Sequence, residues 1–211
     1  MVVNSGSVGT SDWAEVAPAV LQAWFGGQEM ADALVDVLVG DDEPSGRLPT
    51  TMPHRLEDTP AFLSYPGENG RVAYSEGLFT GYRWYEARRL PVAFPFGHGL
   101  GYTSFTWGEP SLGEIPSIAE LEAGATVTGT VPVTNDGDRA GSEVVQCYVA
   151  PTAPRLTRPV RELQGFAKVR LEPGGSADVV IQLDHRAFAY WDPGDPGHSE
   201  RLSSVPVAAG Q

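Results

Sequence analysis

The chain has 211 residues, of which 41% are hydrophobic and 19% charged, a composition typical of a globular protein with one or two domains. The net charge is −13 and Lys168 is the single lysine, which argues against a nucleic-acid partner because phosphate backbones are bound through clustered basic residues. No apolar run approaches about 18 residues, so no membrane span is predicted. The single cysteine, Cys147, excludes an internal disulfide and a multi-cysteine zinc site.

The first residues, MVVNSGS, are typical of the end of a buried strand that stops at Asn4-Ser5-Gly6. Two apolar residues, Val2 and Val3, are too few for a complete strand of this kind, so we expect the chain to begin inside an element. The same residues lack a basic segment followed by a long apolar one, so no signal peptide is visible. The sequence leaves both a cytoplasmic and a secreted location open.

Two helices are predicted in the next part of the chain. Asp12 and Glu15 have capping-box spacing, and apolar residues follow at helical intervals up to Gly26-Gly27: Val16, Val20, Leu21 and Trp24. A second helix is predicted over 28–39, with Gly40 as its stop signal. Its expected apolar stripe consists of Met30, Leu34, Val37 and Leu38.

Residues 62–107 hold 12 of the chain's 20 aromatic side chains. The glycines and prolines between them, as in FPFGHGLGYTSF, argue against long helices. Aromatic side chains this dense are rarely left in solvent, so we expect the block between Tyr74 and Phe105 to form a junction between two domains rather than a sugar-binding platform. Phe94, Phe96 and Tyr102 are then expected to be largely buried.

The pattern changes near residue 124. TVTGTVPVTN alternates with period two, and SEVVQCYVA and ADVVIQL are rich in β-branched residues. Turn signals separate these runs: Asn135-Asp136-Gly137, 151–154 and Pro173-Gly174-Gly175. Short strands at about ten-residue spacing predict an antiparallel β-sandwich.

Ser11-Asp12-Trp13 is the most tempting catalytic motif, because an Asp beside a Trp suits a glycosidase nucleophile under a sugar ring. The capping-box spacing between Asp12 and Glu15 explains both acids without catalysis. We therefore interpret Asp12 as a helix cap.

The remaining candidate residues form no convincing catalytic or metal-binding group. The four histidines are scattered and none has a ligand partner at metal spacing: His54, His98, His185 and His198. Ser45 lacks a nucleophile-elbow motif, and Cys147 is interpreted as a small buried apolar residue.

Two carboxylates, Glu76 and Glu86, lie in the aromatic block together with Arg83, Arg88 and Arg89. Carboxylates among aromatic rings suit a carbohydrate site, and they equally suit ion pairs that hold loops in place. The structural interpretation is favoured, so no catalytic residue is assigned.

Four stretches carry a resemblance to a known family: VLQAWFGGQEMADALVDVLVGDDEPSGRLPTTMP, YSEGLFTGYRWYEARRLPVAFPFGHGLGYTSF, SEVVQCYVAP and TRPVRELQGFAKVRLEPG. Together they resemble the C-terminal part of family 3 glycoside hydrolases of the β-glucosidase type. The resemblance covers nearly the whole chain and follows the family's order. The P-S-G-R-L-P loop, PFGHGLGYTSF and RPVRELQGF are its most specific motifs.

That resemblance implies an α/β plus all-β fold truncated at both ends. Residues 1–107 would be the end of the family's α/β sandwich domain, 108–124 a linker, and 125–211 an incomplete fibronectin type III-like β-sandwich. Family members are retaining enzymes with an Asp nucleophile and a Glu acid/base. Both lie upstream of the N-S-G-S strand, the Asp in a barrel segment that often reads S-D-W, so neither maps onto this chain. No catalytic or metal-binding residue is expected here, and the substrate-binding residues are unknown.

The resemblance implies the non-catalytic C-terminal portion of a β-glucosidase or β-xylosidase that hydrolyses O-glycosyl bonds at non-reducing ends. It implies no cofactor. The implied partners are a β-linked oligosaccharide or glycoside and a barrel domain, in cis or in trans. Two alternatives stay open, namely a free-standing carbohydrate-binding or adhesion module and the non-catalytic subunit of a split glycosidase. The isolated chain is expected to be inactive, and the sequence leaves its sugar, linkage and oligomeric state undetermined.

Overall fold

The computed structural model describes residues 1–6 and 13–194, together with the backbone of 200–202 and 207–209. The chain divides into two compact units, Met1–Leu100 and Gly101–Gln211. The sequence-based boundaries differ from this division. Residues 101–107 and the segment 108–124, predicted as a domain end and a linker, both lie in the second unit.

The first unit combines short strands and helices. Its described residues include the helices α1 (Met30–Val39) and α2 (Tyr82–Arg88). Its strands are β1 (Val2–Val3), β2 (Leu21–Gln22), β3 (Met52–Pro53) and β4 (Val92–Phe94). The strands β1 and β2 are parallel, whereas β3 and β4 are antiparallel. A 3-10 turn lies at Leu56–Asp58.

The predicted first helix is wrong. Trp13 begins a single turn, in which its carbonyl accepts hydrogen bonds from the backbone N–H groups of Val16 and Ala17 at 3.2 and 3.0 Å. Pro18 cannot extend the turn, because it lacks an N–H and disfavours helical backbone in the residue before it. The chain then forms β2, where Leu21 N–H donates to the Met1 carbonyl at 2.9 Å. Pairing with β1 therefore overrides the helical spacing of the apolar residues.

The second predicted helix is confirmed as α1, and Gly40 ends it. Gly40 has φ 86°, and its N–H donates to the carbonyls of Asp36 and Val37. This left-handed conformation is one that glycine adopts readily. The expected stripe is only partly buried, because Leu38 is 57% exposed. An exposed apolar stripe runs along the same helix through Ala31, Val35 and Leu38.

The second unit is an antiparallel β-sandwich with the short helix α3 (Ile118–Glu122). Its strands are β5 (Phe105–Trp107), β6 (Ser111–Leu112), β7 (Val127–Asn135), β8 (Gly141–Val149), β9 (Glu162–Leu171), β10 (Ser176–Leu183), β11 (Ala189–Trp191), β12 (Glu200–Leu202) and β13 (Val207–Ala209). One sheet has the order β10-β7-β5, with β6 also paired to β7, and the other has the order β13-β8-β9. Strand β11 pairs with β12. The predicted fold class is confirmed.

The apolar core lies in the second unit. Alternate residues of the long strands point inward, and helix α3 and the turn at His185–Phe188 add to the cluster. Its fully or almost fully buried members include Val133 and Val145. Among the described residues, 14 of the 17 buried hydrophobic side chains belong to this unit, and only Val3, Met52 and Tyr85 belong to the first. The first unit therefore has little core of its own.

Candidate functional site

The first unit contains a cavity of about 420 Å³. The turn that begins at Trp13, strand β2 and the loops around Arg47 and His98 form its walls. The lining of the cavity includes Trp13, Gln22, Trp24, Arg47, Phe94 and His98. Cavities of about 300–1,000 Å³ with mainly apolar walls and a few polar groups are typical of small-molecule sites.

Aromatic rings form one side of this cavity. Trp13 and Phe94 are stacked with ring centroids 6.2 Å apart and an interplanar angle of 20°. The His98 ring lies 5.4 Å from the Phe94 ring. Phe94 is held in place because it ends strand β4, opposite Met52 of β3.

His98 is positioned by backbone hydrogen bonds between its loop and the loop at Leu48. The Leu48 N–H donates to the His98 carbonyl, and the Gly97 N–H donates to the Leu48 carbonyl, both at 2.8 Å. A Cβ on Gly99 would lie 2.5 Å from the Gly46 carbonyl oxygen, so the close approach of the loops requires glycine there. Burial, and then the positive charge of Arg47, lower the pKa of His98. A neutral imidazole offers one donor and one acceptor.

Two further wall residues have unusual surroundings or geometry. Gln22 donates from Nε2 to the Ser5 carbonyl at 2.7 Å, whereas its buried Oε1 atom has no hydrogen-bond partner among residues 1–6 and 13–194. Trp24 has φ 54°, which is the left-handed region. A bulky side chain rarely adopts this conformation, and it persists only where the surrounding structure holds it.

Ser11 and Asp12 of the S-D-W motif, and likewise His198, lie outside the described residues. Trp13 of the same motif belongs to the cavity wall. Glu15, the other member of the predicted capping box, is exposed.

The other candidate residues lie in different elements. His54 lies in the first unit and His185 in a 3-10 turn of the second. Ser45 lies in a loop of the first unit, and Cys147 is buried in β8, where burial raises the pKa of its thiol. Within 1–6 and 13–194 no group of three or more His, Cys, Asp and Glu could hold a metal ion, and no helix is long and apolar enough to cross a membrane.

Part of the aromatic block, including Trp84 and Tyr85, forms helix α2. Trp84 donates from Nε1 to the Asp58 carbonyl at 2.9 Å, and the Arg88 guanidinium lies 4.8 Å from the Trp84 ring centroid. Arg89 ends the helix with φ 54°. Glu86 lies on the same helix and is half-buried, whereas Glu76 lies in the loop before it.

The expected burial of three aromatic residues is only partly seen. Phe94 and Phe96 are half-buried within the first unit, where Phe96 stacks on Tyr82 with centroids 4.8 Å apart. Tyr102 belongs to the second unit and is 43% exposed, which contradicts its expected burial. The role of the block as a domain junction stays a prediction.

Sequence reasoning missed the cavity because residues 13–24 were interpreted as a helix. In a helix, Trp24 and Gln22 would not line one wall with His98 and Arg47. Pro18 was the available signal, since a proline six residues after Asp12 argues against a continuous helix.

Two family descriptions match the chain: "Glycosyl hydrolase family 3 C-terminal domain" over residues 1–102 and "Fibronectin type III-like domain" over residues 143–199. A probable beta-glucosidase I from Emericella nidulans is 49% identical over 193 residues, which cover 91% of this chain and 23% of that protein. A beta-glucosidase from Rhizobium radiobacter is 47% identical over 196 residues, with the same two coverages.

Solved structures of beta-glucosidases share the fold. The Kluyveromyces marxianus enzyme matches with a TM-score of 0.81 and 42% identity over 90% of this chain and 22% of its own. DesR, a beta-glucosidase from Streptomyces venezuelae solved in complex with D-glucose, matches with a TM-score of 0.87 and 32% identity over 99% of this chain and 26% of its own.

Proposed function

Since the chain belongs to glycosyl hydrolase family 3 and corresponds to its C-terminal part, we propose that it is the non-catalytic C-terminal portion of a β-glucosidase-type hydrolase. The whole protein would cleave β-glycosidic bonds at the non-reducing ends of glycosides or oligosaccharides. Its Asp nucleophile and Glu acid/base would lie in the part of the protein that this chain does not match.

The observation that carries this proposal is the extent of the match. The chain spans about 23% of the length of the curated relatives, and the first hundred residues match a C-terminal domain. A retaining glycosidase needs two carboxyl groups about 5–5.5 Å apart. The resemblance to this family places both catalytic carboxyl groups upstream of the region that this chain matches.

The role of the chain would be to pack against that catalytic region. Three of 17 buried hydrophobic side chains are in the first unit, whereas 15 of the 23 exposed large hydrophobic residues among the described ones are there. Val35 and Leu38 of α1 are 53% and 57% exposed. An apolar helix face that is left exposed in this way suits a protein contact. The contact would be made in cis or in trans.

The test is reconstitution of activity. The purified chain alone should not hydrolyse nitrophenyl β-glucoside or β-xyloside. When it is co-expressed with the Rhizobium radiobacter beta-glucosidase lacking its matched C-terminal residues, activity should return. Val35→Glu with Leu38→Glu should reduce the recovered activity at least tenfold, because burying two unpaired charges opposes docking.

Val180→Glu is the matched control, because Val180 is 50% exposed in the second unit. It should leave reconstitution unchanged. Glucosidase activity of the chain alone that disappears on Asp12→Asn would overturn the non-catalytic assignment. A chain that never restores activity but binds oligosaccharides would favour the free-standing binding module.

A further inference from the structure

We propose that the cavity of the first unit is a saccharide-binding site for one or two pyranose rings. The proposal uses the proposed function only to choose carbohydrate as the ligand class. The volume of the cavity, its aromatic wall and its polar groups support a saccharide ligand.

The volume and the aromatic wall suit a pyranose. A cavity of about 420 Å³ lies in the range of small-ligand pockets. A pyranose presents C–H groups on its ring faces, and these faces pack against aromatic rings. The wall offers Trp13, Trp24 and Phe94, which include two of the chain's five tryptophans.

The backbone at Trp24 is the second observation. Its φ of 54° is a left-handed conformation, which is strained for a residue with a Cβ. Glycine would avoid this strain, yet the position holds the largest side chain. Strained residues cluster at ligand clamps and active sites, so we infer that the strain is retained because it directs the indole to the cavity.

Polar groups complement the hydroxyl groups of a sugar. His98 in its neutral form supplies a donor and an acceptor, and Arg47 supplies donors only. The Gln22 Oε1 atom is buried without a donor among the described residues, and a buried acceptor of this kind is destabilising unless it finds a partner. A small movement of this side chain would let a sugar hydroxyl donate to it.

The test uses cellobiose and methyl β-D-glucopyranoside as probes, with sorbitol as a polyol that lacks a ring face. Saturation-transfer NMR and tryptophan fluorescence on the full chain should show saturable binding of the two glycosides, with a Kd of about 1 mM. Trp24→Gly and Trp24→Ala should each weaken binding at least tenfold. Trp191→Phe is the control, because Trp191 is 69% exposed in the second unit.

The pair of variants at Trp24 separates binding from folding. Trp24→Gly relieves the left-handed strain, so its thermal midpoint should be at least that of Trp24→Ala. If Trp24→Gly binds cellobiose as tightly as the unmodified chain does, the cavity is not the binding site. If the unmodified chain shows no saturable response, or if sorbitol competes equally, the proposal is overturned. Reconstitution of hydrolase activity does not depend on this result, so either proposal can fail alone.

Discussion

Asn135 joins three parts of the second unit through its side chain. The residue is fully buried. Its Nδ2 atom donates to the carbonyls of Arg139 and Leu171, at 2.7 and 3.0 Å. Its Oδ1 atom accepts from Thr103 Oγ1 at 2.6 Å and from the Gly137 N–H at 3.1 Å. Both donors and both acceptor positions of the amide are thus used, which makes the side chain costly to replace.

Asn135→Ala should lower the free energy of unfolding by about 3 kcal/mol, because it leaves several buried groups without partners. Thr103→Val removes one hydroxyl and should cost about 1 kcal/mol. Chemical denaturation followed by the fluorescence of Trp107, in the neighbouring strand β5, measures both. Equal losses for the two variants would contradict the assigned network.

His98 gives the chain a pH dependence whose sign follows from its surroundings. Burial and Arg47 lower its pKa below 6.5 in the folded chain. The unfolded chain therefore binds more protons just below pH 6.5 than the folded chain does. The contribution of His98 to the free energy of unfolding is thus fully present above pH 6.5 and is lost as the pH falls through the lower pKa of the folded state. We expect His98→Gln to lose less unfolding free energy between pH 7.5 and 5.5 than the unmodified chain does.

NMR titration of the His98 imidazole, assigned from the signal missing in His98→Gln, should give a midpoint below 6.5. Arg47→Gln should raise that midpoint only in part, because burial is the larger cause. A midpoint at or above 6.5 would show that the imidazole is solvated or paired with an acid.

Helix α1 shows how a single glycine sets the end of an element. Gly40→Ala forces an alanine to φ 86° and should destabilise the first unit by about 1 kcal/mol. Gly27→Ala is the control, because Gly27 is not in the left-handed region and an added Cβ would meet nothing within 4 Å. Thermal unfolding followed by circular dichroism should show a lower midpoint for Gly40→Ala only. Equal midpoints for the two variants would mean that the C-terminal end of α1 is frayed and that Gly40 does not stabilise it.

The elements also show which local signals are reliable. Strands β7 and β10 follow their apolar periodicity, because each packs one face against the core of the second unit. Helix α1 also forms where the helical spacing predicts it, although none of its residues is fully buried. Residues 13–24 have helical spacing too, yet they form a turn and a strand. Pro18 and the hydrogen bonds to the carbonyls of Met1 and Val3 determine the backbone conformation of these residues. The helical spacing of their apolar side chains gives no sign of this strand pairing.

At the scale of the whole molecule, the two units differ in how much apolar surface they bury. Limited trypsin digestion should therefore cut the first unit before the second. Cleavage sites are available in both, with six of the 14 basic residues before position 101 and eight after it. Mass spectrometry should find a resistant product that begins at Leu90, because Arg89 is the last basic residue before the second unit. Earlier cleavage at Arg170 or Lys168, both exposed on β9, would contradict the expected order.

Sequence alone determined the family, the β-sandwich of the second unit, helix α1 and its end at Gly40. These follow from motifs or from periodicities between residues close together in the chain. Tertiary structure decided the path of residues 13–24, the cavity, the left-handed backbone of Trp24 and the burial of Asn135. Each of these depends on groups far apart in the chain, such as the Thr103 hydroxyl that reaches Asn135. A backbone donor or a polar side chain takes the conformation that satisfies its hydrogen bonds, and those partners exist only once the chain has folded.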